Sequence, residues 1–162
     1  MSWIAGIDVD TKAVHCVCID EDDATTPVYF QWTLDGQDAW ERVRSVKESM
    51  PPKSFWEDTI AVGLENPAGR AGTGLYAVIR TTGAVLACLP SSVLVQPWRP
   101  GEWRKANRLK GNATKAEVKT FADALLRRST PDDRPEWPCQ DAADAYLIAL
   151  ATRGAIETEA AA

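Results

Sequence analysis

Four carboxylates in this chain, Asp8, Glu65, Asp141 and Asp144, have the type and placement to do chemistry together. Asp8 lies in Trp3-Ile4-Ala5-Gly6-Ile7-Asp8-Val9-Asp10, an almost wholly apolar run that reads as a short strand. A strand apolar on both faces is buried on both, as at the centre of a helix-covered sheet. A charge there is costly unless a cation or hydrogen-bond donors meet it. Glu65 closes a second such run, Thr59-Ile60-Ala61-Val62-Gly63-Leu64-Glu65. If the two strands are adjacent and parallel, both acids fall at strand carboxyl ends, where open α/β sheets place their sites. Taken singly, each could simply open a loop.

Asp141-Ala142-Ala143-Asp144 spaces two acids three apart, on one face of a helix. The next positions on that face, Ile148 and Ala151, are apolar, so the pair points along a buried seam. Asp141 alone also suits the positive end of a helix dipole; Asp144, set among alanines, is not explained that way. Four carboxylates make an all-oxygen site that suits Mg²⁺ or Mn²⁺ and disfavours zinc. Two such ions, about 3.5–4 Å apart, are a common device for in-line attack of water on a phosphodiester.

The basic residues fit a phosphodiester substrate. Net charge is -5, which at face value speaks against nucleic acid. Yet Trp98 to Arg128 holds nine basic side chains against three acidic ones, a local +6 that leaves -11 for the remainder. Arg99, Arg104, Lys105, Arg108, Lys110, Lys115 and Lys119 are the expected DNA contacts, because a phosphate backbone rewards local positive charge whatever the total. A solvated helix face is the plainer alternative. Gly111-Asn112-Ala113-Thr114-Lys115 also offers a helix N-terminus to a phosphate, and Lys115 could reach the scissile group or the attacking water. Trp98 and Trp103 could stack on bases or support the core. Four cysteines without a CxxC pair, accompanied only by His15, read as buried free thiols rather than a closed zinc site.

The elements that must position these groups follow from periodicity. Of 162 residues, 45% are hydrophobic and seven are Trp, which predicts one well-packed domain over 1–154 and a flexible tail over 155–162. No run approaches a membrane span and no leader is visible, so a cytoplasmic protein is expected. Ala13 to Ile19 and Val28 to Leu34 complete a meander with the first strand, the acidic Asp20-Glu21-Asp22-Asp23 forming its solvated tip. Helices are expected over Gln37 to Ser49 and Gly72 to Thr82, the latter capped by Gly83, with a fifth strand at Ala84 to Leu89. A short helix is expected at Ser91 to Val95, and irregular chain over Gln96 to Gly101. Further helices are expected at Thr114 to Arg128 and Gln140 to Ala151, the last ended by Gly154. Alternation of helix and strand after the meander predicts crossover units, and so a mixed α/β sheet flanked by helices.

In this order, Gly6-Ile7-Asp8, Gly63-Leu64-Glu65, Lys110 to Lys115 and Asp141-Ala142-Ala143-Asp144-Ala145 resemble the RuvC-type Holliday junction resolvases of the RNase H-like superfamily. The likeness runs from about Ile4 to Ala151, and the DAADA segment is its most specific part. It implies an RNase H-like five-stranded sheet, a homodimer, and two-metal, Mg²⁺-dependent cutting of branched DNA by paired nicks. By position, Asp8, Glu65, Asp141 and Asp144 would hold the metals and Lys115 would be the catalytic lysine. Small size and Trp103-Arg104-Lys105 suggest a phage version. The family often has an aromatic wedge shortly after its glutamate, whereas Asn66-Pro67-Ala68-Gly69 follows here, which leaves action on flaps or forks open. The opening also resembles DEDD-type transposases, which continue into a second domain that is missing here. Sugar kinases and actin-like ATPases share Gly-Ile-Asp but want another glycine after it and about twice the length. A branched-DNA-binding module without catalysis is the non-enzymatic alternative.

Overall fold

A computed structural model describes residues 1–66, 73–129 and 136–161. Strands β1 (Trp3–Val9), β2 (Ala13–Asp20) and β3 (Val28–Thr33) form the expected meander, and helix α1 (Ala39–Ser49) follows. Asp38 caps α1 by accepting from the amides of Trp40 and Glu41. Strand β4 (Thr59–Glu65) pairs parallel with β1, and β5 (Leu94–Trp98) pairs parallel with β4. The sheet order is β3-β2-β1-β4-β5, three antiparallel strands continued by two parallel ones. The mixed five-stranded sheet expected from the sequence is therefore present, with β1 at its centre.

The middle of the chain departs from expectation. Helix α2 (Thr73–Cys88) passes through Gly83 instead of stopping there, and the expected fifth strand at 84–89 is its last part and the turn beyond. An unbroken apolar run carries no period, and here alanine-rich composition decides for helix. Thr81 and Thr82 satisfy their hydroxyls by donating to the carbonyls of Ala77 and Val78, each at 2.9 Å, so neither needs a break in the helix. The fifth strand is instead Leu94–Trp98, where a short helix and then irregular chain were expected. Pro97 is tolerated because β5 is an edge strand. Pro100 then opens helix α3 (Pro100–Ala106), its missing N–H costing nothing in a first turn.

Helix α4 (Lys115–Ser129) lies close to its expected limits. Helix α5 (Gln140–Ala160) does not end at Gly154 but runs past it. Around Gly154, Arg153 pairs with Glu157 at 2.9 Å and Thr158 donates to the Gly154 carbonyl at 2.7 Å, which holds the turn. Residues 67–72 and 130–135 lie outside the described ones, and with them the segment where a wedge aromatic was sought and most of the stretch from Ser129 to Pro138, expected from its three prolines to be a loop.

Two cores flank the sheet. Ala5, Ile7 and Val9 face Val46, Met50, Trp56, Val85 and Leu89. Ile4, on the other face, joins Val17, Ile19 and the buried side of α5. At Gly6 and Gly63, which pair across β1 and β4, α5 comes down onto the sheet itself. A Cβ on Gly6 would stand 2.0 Å from the Ala145 carbonyl oxygen, and one on Gly63 would stand 2.0 Å from Thr152 Oγ1. Alanines at 142, 143, 145, 149 and 151 give α5 the thin profile this contact demands.

Candidate active site

The close approach of α5 to β1 and β4 sets the site. Ile7 is in register with Leu64, so Asp8 and Glu65 follow side by side at the carboxyl ends of neighbouring strands. The buried first turns of α5 project Asp141 and Asp144 over the same strand ends. One carboxylate oxygen each from Asp8, Asp141 and Asp144 lies within 4.8 Å of the others. Glu65 stands just outside that set, its Oε2 accepting from Trp103 Nε1 at 2.7 Å. Asp144 Oδ1 accepts from Gln140 Nε2 at 2.7 Å, one turn earlier on α5.

Such crowding has an electrostatic signature. Burial, followed by the charges of Glu65, Asp144 and Asp141, pushes the Asp8 carboxyl well above the usual range. Burial raises Glu65 and Asp144 too, against the opposing effect of their hydrogen bonds to Trp103 and Gln140. Lys115 and Arg104 favour the ionised forms of Glu65 and Asp144, and Lys115 does so for Asp8. Among the described residues no lysine or arginine forms an ion pair with any of the four acids. The donor set is all oxygen, negatively charged and short of counter-charge, which fits a hard divalent cation.

The basic residues divide into groups. Lys115, the first residue of α4, faces the acids, as does Arg104, whose guanidinium also lies 5.0 Å from the Trp103 ring centroid. Arg99, Lys105, Arg108 and Lys110 are exposed along α3 and the turn after it, without ion pairs among the described residues. Lys119 is instead paired with Asp123 at 2.9 Å, and Asp123 also accepts from the Trp137 amide at 2.8 Å. The helix N-terminus expected to meet a phosphate is capped from within: Thr114 and Glu117 form a reciprocal pair, with the Thr114 amide donating to Glu117 Oε2 at 2.7 Å. Trp103 is fully buried and Trp98 donates to Thr152 Oγ1 at 2.9 Å, so both serve the scaffold rather than an exposed stacking surface.

Three residues near the acids escaped the sequence reading. Trp103 and Gln140 orient Glu65 and Asp144, and nothing in their local sequence announces it. His15 is different. The β1–β2 register places it directly opposite Asp8, so counting back across the short turn at Asp10 to Ala13 would have found it. Its Nε2 lies 3.7 Å from Asp141 Oδ2 and 3.9 Å from Asp10 Oδ2. His15, ahead of the Lys12 and Ala13 amides, holds the Asp10 carboxyl down at about 2.

No family model matches the sequence, and no curated protein does. Solved structures do. RuvC of Thermus thermophilus in complex with a Holliday junction substrate is 22% identical, over 97% of this chain and 96% of that one, with a TM-score of 0.70. The fold is RuvC-like. A second Thermus thermophilus RuvC structure gives 22% identity over 96% of each chain and a TM-score of 0.65. The Fowlpox virus resolvase with its substrate Holliday junction DNA gives 15%, 95% of this chain, 98% of that one, and 0.53. At these identities the likeness is one of fold. Within the RuvC-like frame, the sequence-predicted Asp8, Asp141 and Asp144 meet, with Glu65 and Lys115 beside them.

Proposed function

We propose that this chain is a divalent-metal-dependent endodeoxyribonuclease that hydrolyses phosphodiesters of branched DNA, four-way junctions above all, in paired nicks. Its main support is the meeting of Asp8, Asp141 and Asp144 oxygens within 4.8 Å, at the strand ends of a resolvase-like fold. Asp8, Glu65, Asp141 and Asp144 would hold two Mg²⁺ or Mn²⁺ ions, which relieve the mutual repulsion of these acids. When bound, such ions polarise the scissile phosphate and make water a better nucleophile. The chain's own groups do the rest. Trp103 fixes the Glu65 carboxylate, and Gln140 fixes that of Asp144. Lys115 places a positive charge at the same mouth, where negative charge grows on the phosphate during attack. Arg99, Arg104, Lys105, Arg108 and Lys110 track the backbone leading in; Lys119, already paired, contributes less. A homodimer would present two such centres to the two opposed strands of a junction.

A nicking assay on four-way, three-way, flap and duplex DNA, with Mg²⁺ or EDTA, tests this reading. Symmetric, metal-dependent cuts on the four-way substrate that vanish in Asp144→Asn are expected. Tight junction binding with no cutting in Mg²⁺ or Mn²⁺ would make the chain a binding module instead.

A further inference from the structure

Beside the carboxylate centre lies a group of different chemistry. His15 on β2 is 4% exposed and shares the α5 side of the sheet with Asp8. Cys139, the residue that caps α5, has its Sγ 3.7 Å from His15 Nδ1. Asp141 Oδ2 lies 3.7 Å from His15 Nε2. One donor atom from each of the three residues falls within 4.8 Å of the others. None of this belongs to the all-oxygen set except Asp141, which stands in both.

From these positions we infer a second cation site, formed by His15, Cys139 and Asp141, that takes a borderline transition ion of the Zn²⁺ class. Nitrogen, sulfur and carboxylate oxygen in one cluster select Zn²⁺ or Co²⁺ over Mg²⁺. Tetrahedral Zn²⁺, with bonds of about 2.0 Å to nitrogen and 2.3 Å to sulfur, sets its donors roughly 3.3–3.6 Å apart. Here Cys139 Sγ lies 3.7 Å from Nδ1, which also meets the Tyr29 hydroxyl at 2.9 Å, and Asp141 Oδ2 lies 3.7 Å from the other ring nitrogen, Nε2, while one donor from each residue falls within 4.8 Å of the others. A single ion takes one ring nitrogen, and rotation of Cys139 or Asp141 brings in the remaining donor.

Cys139 Sγ accepts from the Ala142 amide at 3.4 Å, in the first turn of α5. The ion displaces the thiol proton to solvent. The sequence argued against zinc because it counted only closed cysteine-rich sites, and Cys139 lies 124 residues from His15. Asp141 cannot serve both centres equally. Occupation of the softer site therefore draws an oxygen away from Asp8 and Asp144.

Co²⁺ titration of the reduced full chain, without DNA, tests the site directly. Wild type should show a near-ultraviolet thiolate charge-transfer band that saturates at one equivalent and is displaced by Zn²⁺, whereas Co²⁺ held by carboxylates alone gives no such band. Cys139→Ser and Cys139→Ala should both lose the charge-transfer band, and His15→Gln should weaken Co²⁺ at least tenfold. Asp8→Asn should keep the band, because that residue belongs only to the neighbouring centre. Absence of the band in wild type at saturating Co²⁺, its survival in both Cys139 variants, or its loss in Asp8→Asn would each overturn the assignment. No DNA is cut in this measurement, so a failed nuclease reading would leave its result untouched.

Discussion

The two faces of the sheet solve packing in opposite ways. Toward α1 and α2 the gap is filled with bulk: Ile7, Leu64, Val85 and the ring of Trp56, with Phe30, Trp32 and Phe55 packed against them. Toward α5 the gap is closed by removing bulk, with glycines in the strands and alanines in the helix. The bulky face holds the sheet up. The thin face lets a helix backbone come near enough for acids on two strands and one helix to share a small volume. Proximity of like charges is the cost of that arrangement, and a divalent cation would offset it.

The sharpest way to break this contrast is to exchange a methyl group at adjacent residues of β1. Gly6→Ala drives a Cβ into α5 backbone, which cannot swing aside, and should cost about 3 kcal/mol or more or abolish folding. Ile7→Val, one residue on and facing the bulky core, should cost about 1 kcal/mol. Urea unfolding of both checks the pair; equal losses would mean the faces do not differ as described.

The next largest effect concerns cutting. Lys115→Ala should slow junction cleavage about 100-fold, the scale for losing one well-placed donor to developing charge. Junction affinity, read by gel shift, should change only a few-fold. Lys110→Ala makes the converse case: cleavage of bound junction unchanged, and a salt slope of binding reduced by about 0.9. Similar small losses from both would erase the distinction between a lysine at the acids and one on the approach.

Asp8→Asn separates charge from fold. Because the Asp8 carboxyl is raised in the native chain, the native state holds its proton more tightly than the unfolded state does. Stability of the metal-free protein should therefore fall as pH rises from the unfolded value of about 3.9 toward the native one. Asp10 runs the other way, its contribution being lost only as pH falls toward about 2. Expected in melting curves at neutral pH are a higher metal-free Tm for Asp8→Asn than for wild type, and a Mg²⁺-induced rise confined to wild type. Smallest is Trp103→Phe, which keeps the packing and deletes the hydrogen bond to Glu65. Single-turnover cleavage should drop about tenfold, the equivalent of one charge-assisted hydrogen bond.

How much of this the sequence revealed follows from the kind of signal each part carries. Asp8, Glu65 and the Asp141/Asp144 pair were legible because a carboxylate inside an apolar run contradicts its surroundings, and that contradiction is local. Strands β1 to β4 were legible for a similar reason, being apolar runs bounded by turn residues. The stretch 84–98 was not. Its two apolar runs have no period and both pack into one core with Val46 and Trp56, so only the alanine-rich make-up of the first favours helix. Gly83 and Gly154 misled because glycine on a solvent-facing helix position weakens the helix without ending it. Trp103 was open to two readings, base stacking beside its basic neighbours or support of the core. Its ring is buried by α5 contacts that no short window contains.

Pro97 has a bearing on assembly. It sits on the outer strand of the sheet, opposite Leu64, and has no N–H to offer a newcomer. A further strand laid along β5 would find its ladder interrupted there, one residue before the position level with Glu65. Copies of this chain are thus denied a continuous sheet through that margin, and the strand ends carrying Asp8 and Glu65 stay clear of such a pairing.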